Sequence, residues 1–375
     1  MPEQRRHFDG DRNVTALAGG TVYVDPDTEP IRSGVVVIEG DKIIAVGAEV
    51  PANAKVIDCA GLTITAGFWN SHVHFFERKW ADAASIPAAE LAYQLEQMLT
   101  RYGFTSVFDI GSMWENTRVI RDRIESGEVP GPRIRTTGEG LVPTGGNPSD
   151  IVLNMMGVMK MTLPEVGEAA QATKKLLANG VDAIKIFVSS PSGATIPETA
   201  IRAAVDEAHR FNKPVFAHPN TGADVMAAIR AGVDVIAHTT PRSGPWDAMP
   251  ARGVALTPTL NLWKYFLRHD RTSTQEQIVN TAIAQLRAWI AAGGSVLFGT
   301  DLGAVDYDPG EEYALMAEAG MSFRQILASL TTAPAERFGV SKRFGRIAPG
   351  FEADIVALED DLTAIRYTLR GGRIV

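Results

Sequence analysis

One cysteine in the whole chain, Cys59, excludes an internal disulfide framework. It lies in Val56-Ile57-Asp58-Cys59-Ala60-Gly61, a small strand entering a turn, which suits a packed thiol better than a nucleophile. No uninterrupted apolar stretch reaches about 18 residues, so no segment is expected to span a membrane. The first residues, Met1 to Asn13, are polar and charged and lack the apolar region of a secretory signal, so a cytoplasmic protein is expected. Positive charge is not in excess, with 36 lysines and arginines against 44 acidic residues. The net charge is −8 with both signs interspersed, which disfavours a nucleic-acid surface. The partner expected is a small-molecule substrate; the sequence leaves the oligomeric state open, a homo-oligomer included.

What is present suits a large α/β barrel with a small appendage: 375 residues, 45% of them hydrophobic. From Val14 to about Ala60, short β segments such as Val35-Val36-Val37-Ile38 alternate with turns such as Gly40-Asp41. The last stretch, from Gly345 through Ala353-Asp354-Ile355-Val356 to Val375, returns to that style. The organisation predicted is a polar tail over 1–13, a composite β domain of sandwich type from 14–65 and 345–375, and a (β/α)8 TIM barrel over 66–344. Strands are predicted at Thr105–Asp109, Arg133–Thr136, Ala183–Phe187, Pro214–His218, Val233–His238, Val254–Pro258 and Ser295–Gly299. Amphipathic segments separate them, among them Pro164–Ala178, Glu198–Arg210 and Thr221–Ala231. An open doubly wound sheet is the alternative, weakened because no strand leads into a Gly-x-Gly-x-x-Gly turn.

The chemistry begins at His72 and His74, which close the apolar run Thr63-Ile64-Thr65-Ala66-Gly67-Phe68-Trp69. In an extended strand, residues i and i+2 share a face, so both imidazoles can reach one metal ion. Lys185, His218, His238 and Asp301 recur at the C-terminal ends of later strands, where barrel enzymes place their sites. Singly, each has a bland explanation: a core histidine bonded to its neighbours, or an aspartate capping a helix. Lys185 between Ile184 and Ile186 is harder to explain so, because a lysine inside a barrel is desolvated unless paired or modified. Together the six supply nitrogen and carboxylate ligands of the kinds zinc takes.

The segments Ala66-Gly67-Phe68-Trp69-Asn70-Ser71-His72-Val73-His74, Asp182-Ala183-Ile184-Lys185-Ile186 and Gly299-Thr300-Asp301 resemble those of the amidohydrolase superfamily, in its imidazolonepropionase/prolidase-like branch. The resemblance runs through nearly the whole chain. It implies that His72, His74 and Asp301 bind a first divalent metal, and that Lys185, N6-carboxylated by CO2, bridges to a second held by His218 and His238. Two Zn2+ ions are implied, with a shared hydroxide attacking a carbonyl. Asp301 is the implied general base and acid, with His238 the other catalytic residue.

Some positions depart from the family pattern. Asn70 stands where the family usually has aspartate, Asn147 ends a Thr-Gly-Gly-His-like segment, and the loop after Lys185 reads Ser189-Ser190-Pro191-Ser192-Gly193. Thr221 stands where deaminases of the superfamily carry a glutamate, which with Lys185 favours hydrolysis of an amide or ester over deamination. Phe75, Trp263 and Tyr265 are the predicted substrate contacts, from the loops after two strands. The function expected is hydrolysis of the C–N amide bond of a small peptide, N-acyl amino acid or aryl amide. A lactonase or ester hydrolase on the same metals is the alternative, and a metal-free scaffold the alternative from another class.

Overall fold

The computed structural model describes residues 14–47, 49–145, 165–190, 193–241, 253–268 and 273–375. The predicted polar tail over 1–13, the asparagine at 147 and the pair at 191 and 192 lie outside these residues. The chain opens with β1 (Val14–Val22), β2 (Ile31–Glu39), β3 (Lys42–Val46), β4 (Lys55–Asp58) and β5 (Thr63–Ala66). Then come β6 (Phe68–Val73), β7 (Phe104–Asp109), β8 (Arg133–Thr136), β9 (Ile184–Phe187), β10 (Val215–His218), β11 (Val235–Ala237), β12 (Ala255–Thr257) and β13 (Ser295–Val296), with helices between most of them. It closes with β14 (Ile355–Leu358), β15 (Ile365–Arg370) and β16 (Arg373–Ile374).

The terminal segments share one mixed eight-stranded sheet, with the path β16-β15-β14-β5-β1-β2-β3 and β4 beside β1. The strands of the predicted sandwich follow one hydrogen-bonded path among the described residues. The reason lies in β1. Its register shifts around Gly20, so that Thr15–Ala18 pair with β4 while Thr21 and Val22 pair with β5. One irregular strand thus joins two neighbours on the same side and keeps the hydrogen-bonded path unbroken. Cys59 is fully buried in the core of this sheet. Burial pushes its thiol up to about 11, so it packs as a small hydrophobe.

Strands β6 to β13 are all parallel, in a group of three (β6-β7-β8) and a group of five (β9 to β13). Parallel strands buried on both faces read as continuous apolar runs, which is how they were legible in the sequence. The groups do not join into one closed ladder among the described residues. Scattered backbone bonds cross the two seams instead, among them Leu141 N to Lys185 O and Phe187 N to Leu141 O, both at 2.8 Å, and Ser71 N to Phe298 O at 2.7 Å. The cause is the brevity of the elements at the seams. β13 is only two residues long, and the chain beyond it continues as irregular backbone from Leu297 to Leu302.

Candidate metal centre

His72 and Val73 end β6, and His74 follows directly. The irregular segment after β13 lies along them: Asp301 N donates to His72 O at 2.9 Å, and His74 N to Leu302 O at 2.7 Å. Asn70 adds side-chain bonds, donating from Nδ2 to Thr300 Oγ1 at 2.8 Å and accepting from His72 N at 3.2 Å. Gly299 makes the approach feasible. A Cβ there would lie 2.3 Å from Thr257 Cγ2 and 2.7 Å from His72 Cβ, so the backbone passes where no side chain fits.

The outcome is a convergence of the six predicted residues. Asp301 Oδ1 lies 3.2 Å from His72 Nε2 and 2.9 Å from His74 Nε2. The His72 and His238 ring centroids are 4.4 Å apart, and those of His218 and His238 4.5 Å. Ligand atoms of His72, His238 and Asp301 fall within 4.8 Å of one another. Lys185 is buried beside them, its charge coupled to Asp301. His218 is partly exposed and the other five are buried. Two of the six carry strained backbone: φ is 108° at His238 and 63° at Asp301. Such conformations are uncommon for residues with a Cβ and cluster at working sites.

The electrostatics keep the His72, His218 and His238 imidazoles neutral and the Asp301 carboxyl ionised. Burial pushes His72 down to about 3, an effect that Asp301 opposes and Lys185 reinforces. Protein packed around His218 likewise lowers it to about 3, with help from the Lys185 charge. Burial, then the charges of His72 and His218, hold His238 well below its ordinary value. Neutral imidazoles have the free lone pair a metal needs. For Asp301, burial pulls upward, but the His72 and His74 imidazoles outweigh it and hold the carboxyl well below the usual range. Lys185 is lowered by burial to about 7, against the pull of Asp301 and Asp109.

Chelator-treated protein therefore has a defined pH response. An unfolded lysine titrates near 10.5 and folded Lys185 near 7, so between those values the unfolded chain binds more protons. Stability contributed here is complete above about 10.5 and is lost as pH falls to about 7. Thermal midpoints of the metal-free chain should decline over that window, and Lys185→Met should flatten the decline. An equal slope in both proteins would count against a free amine buried at this site.

One acid at the site escaped the sequence reading. Asp109 ends β7 fully buried, with Oδ1 4.0 Å from His74 Nδ1. It accepts hydrogen bonds from Ser112 Oγ at 2.6 Å, Thr136 Oγ1 at 2.7 Å and Thr117 Oγ1 at 3.2 Å. Its signal was an ionisable residue closing the apolar run Val107-Phe108, as His218 closes Val215-Phe216-Ala217. The predicted substrate contacts sit differently. Phe75 is fully buried in the core with its ring against Trp80 at 5.2 Å, and it is Phe76 that stacks on His74 at 4.6 Å. The reason is alternation: one residue further along an extended chain points to the opposite side. Trp263 and Tyr265 belong to the helix Leu260–Phe266 rather than to a loop, both partly buried. Trp263 Nε1 donates to Thr239 Oγ1 at 2.9 Å, and the Arg268 guanidinium lies 3.7 Å from the Tyr265 ring centroid.

Residues 63–375 match the model of the amidohydrolase family. The chain belongs to the amidohydrolase family. An ochratoxinase from Aspergillus niger is 28% identical over an alignment 430 positions long with its gaps, covering 96% of this amidohydrolase and 86% of that protein. An adenine deaminase from Methanopyrus kandleri is 24% identical over 90% of this chain, which spans 51% of that protein. The crystal structure of a prolidase complexed with N-methylphosphonate-L-proline superimposes with a TM-score of 0.78 at 27% identity, over 97% of this chain and 99% of that one. The fold is accordingly a TIM-barrel-like α/β fold, and the protein is a hydrolase acting on carbon–nitrogen bonds.

Proposed function

We propose that this amidohydrolase cleaves the amide bond of a small peptide, an N-acyl amino acid or an aryl amide, with two divalent metals, Zn2+ by the nature of the donors. The observation that carries the reading is His72. It is fully buried, and neither ring nitrogen has a hydrogen-bond partner, although Asp301 Oδ1 lies 3.2 Å away. A buried imidazole left so is costly, and a cation between it and the carboxylate removes the cost. His72, His74 and Asp301 would hold one metal, and His218 and His238 the other, with Lys185 shared between them. Bound there, the metals would acidify a water and polarise the scissile carbonyl. Asp301, ionised at neutral pH, takes the proton of the attacking water and returns it to the leaving nitrogen. Lys185 suits carboxylation: its amine, lowered to about 7, is about half neutral at pH 7, attacks the carbon of CO2 and releases a proton, becoming an anionic carbamate. Trp263 and Tyr265 are proposed to border the substrate, with Phe76 in place of Phe75. The barrel over 66–344 is proposed as the catalytic unit, with the terminal segments as its companion domain.

Metal analysis of the purified chain, with a hydrolysis screen over dipeptides, N-acyl amino acids, aryl amides, an ochratoxin and lactones, tests this. Stoichiometric zinc and amide turnover abolished by a chelator are expected. Turnover confined to lactones or esters would move the function to the ester-hydrolase reading. Absence of both metal and turnover would leave a scaffold.

A further inference from the structure

His238 is held by a hydrogen bond from its ring to a hydroxyl on the next strand's loop. Its Nδ1 lies 2.7 Å from Thr259 Oγ1. The threonine hydroxyl has one proton, and at 2.9 Å it is the shortest side-chain donor to the Pro258 carbonyl. With that proton committed, Oγ1 accepts from Nδ1–H, which leaves the Nε2 lone pair of His238 for the cluster. Thr259 reaches this position only from an unusual backbone: φ 45° and ψ 51°, left-handed, at a β-branched residue. Something must hold it there.

The helix Leu260–Phe266 starts at the next residue and has no capping side chain of its own. Its first two N–H groups donate instead to a carboxylate from another helix, Gly310–Glu318: Leu260 N to Glu312 Oε1 at 2.9 Å and Asn261 N to Glu312 Oε2 at 2.7 Å. Glu312 is fully buried. A buried carboxylate is an expensive way to finish a two-turn helix, and an ordinary threonine or serine cap would serve a helix that needed only stability. Thr259 stands in the capping position but its hydroxyl is turned to His238 and Pro258, so the cap has to come from elsewhere. We infer that Glu312 is a positioning residue for the metal centre: by gripping the N–H groups of Leu260 and Asn261 it locks the left-handed backbone of Thr259, whose hydroxyl then fixes the ring orientation and tautomer of His238. The links are contiguous, from Glu312 through two backbone amides to Thr259 and the imidazole. This rests on the proposed reading of His238 as a metal ligand.

The test uses the full chain and the variants Thr259→Val, Thr259→Ser, Glu312→Gln and Glu312→Asp, with the double variant Thr259→Val/Glu312→Gln. Three quantities are read: Zn2+ affinity by competition with a chelator, the ring 15N shifts of His238 in the metal-free chain, and the thermal midpoint. Thr259→Val should weaken Zn2+ by about 10–100-fold and mix the His238 tautomers, and Thr259→Ser should restore both. Glu312→Gln, which turns an amide NH2 toward one of the two N–H groups, should move affinity and shifts in the same direction, and add little once Thr259 is already valine. A Glu312→Gln variant that loses only thermal stability, with His238 shifts and Zn2+ affinity as in the parent, overturns the inference. If Glu312→Gln does not fold, Glu312→Asp is read in its place. Equal affinity in Thr259→Val and Thr259→Ser overturns the last link by itself. Should the parent chain bind no Zn2+, the proposed function fails, while the His238 shifts still decide this inference.

Discussion

Asp301→Asn is expected to lower kcat by about 10²–10⁴-fold on whichever amide the screen identifies, the range for losing a general base and acid. The expectation follows from charge as much as from position. Two imidazoles hold the Asp301 carboxyl well below its usual range against the opposing effect of burial, so it is ionised when the substrate arrives. Its Oδ1 is within 3.2 Å of both His72 and His74, where an attacking water would have to shed its proton. Asparagine keeps the shape, accepts no proton and is a weaker metal ligand. Bound zinc measured alongside the rate separates those two losses. A rate within tenfold of the parent would remove Asp301 from the proton path.

Lys185→Ala is expected to lose most of the second metal and to lower the rate by about 10²-fold or more, since a polarising cation contributes several kcal/mol to the transition state. The side chain is 1% exposed beside the histidines and Asp301, and an unmodified ammonium within about 4 Å of a dication would be strongly repelled. Carboxylation reverses that sign. Short carboxylates added in CO2-free buffer should therefore restore part of the metal and part of the activity to the alanine variant. Full metal content and rate in Lys185→Ala would refute the bridge, as would an experimental map with no density beyond Nζ.

His218 and Lys185 are instructive for what can be read without coordinates. Both interrupt runs of apolar, β-branched or aromatic residues, Ile184-Lys185-Ile186 and Val215-Phe216-Ala217-His218, and both strands appear where the sequence puts them. The helix Glu198–Arg210 has the predicted bounds, because its apolar spacing and its acidic start are local properties of that segment. Asp109 went unread despite an equal signal, since an aspartate after a strand is so often a turn or cap that only its buried partners distinguish it.

The sequence by itself determined the alternation of parallel strands and helices, the packed character of Cys59 and the identity of six polar residues in or after the parallel strands. These are functions of periodicity and residue type, which operate over a few positions. Tertiary structure alone decided that the terminal segments form one mixed sheet, that Phe76 rather than Phe75 meets His74, and that Trp263 and Tyr265 lie on a helix. That helix exists where no local cap announces it because Glu312, some fifty residues away in sequence, receives its first N–H groups. The single approach of Gly299 to His72 is of the same kind. Each depends on a contact between segments distant in sequence, and pairings of that sort leave no local pattern to be read.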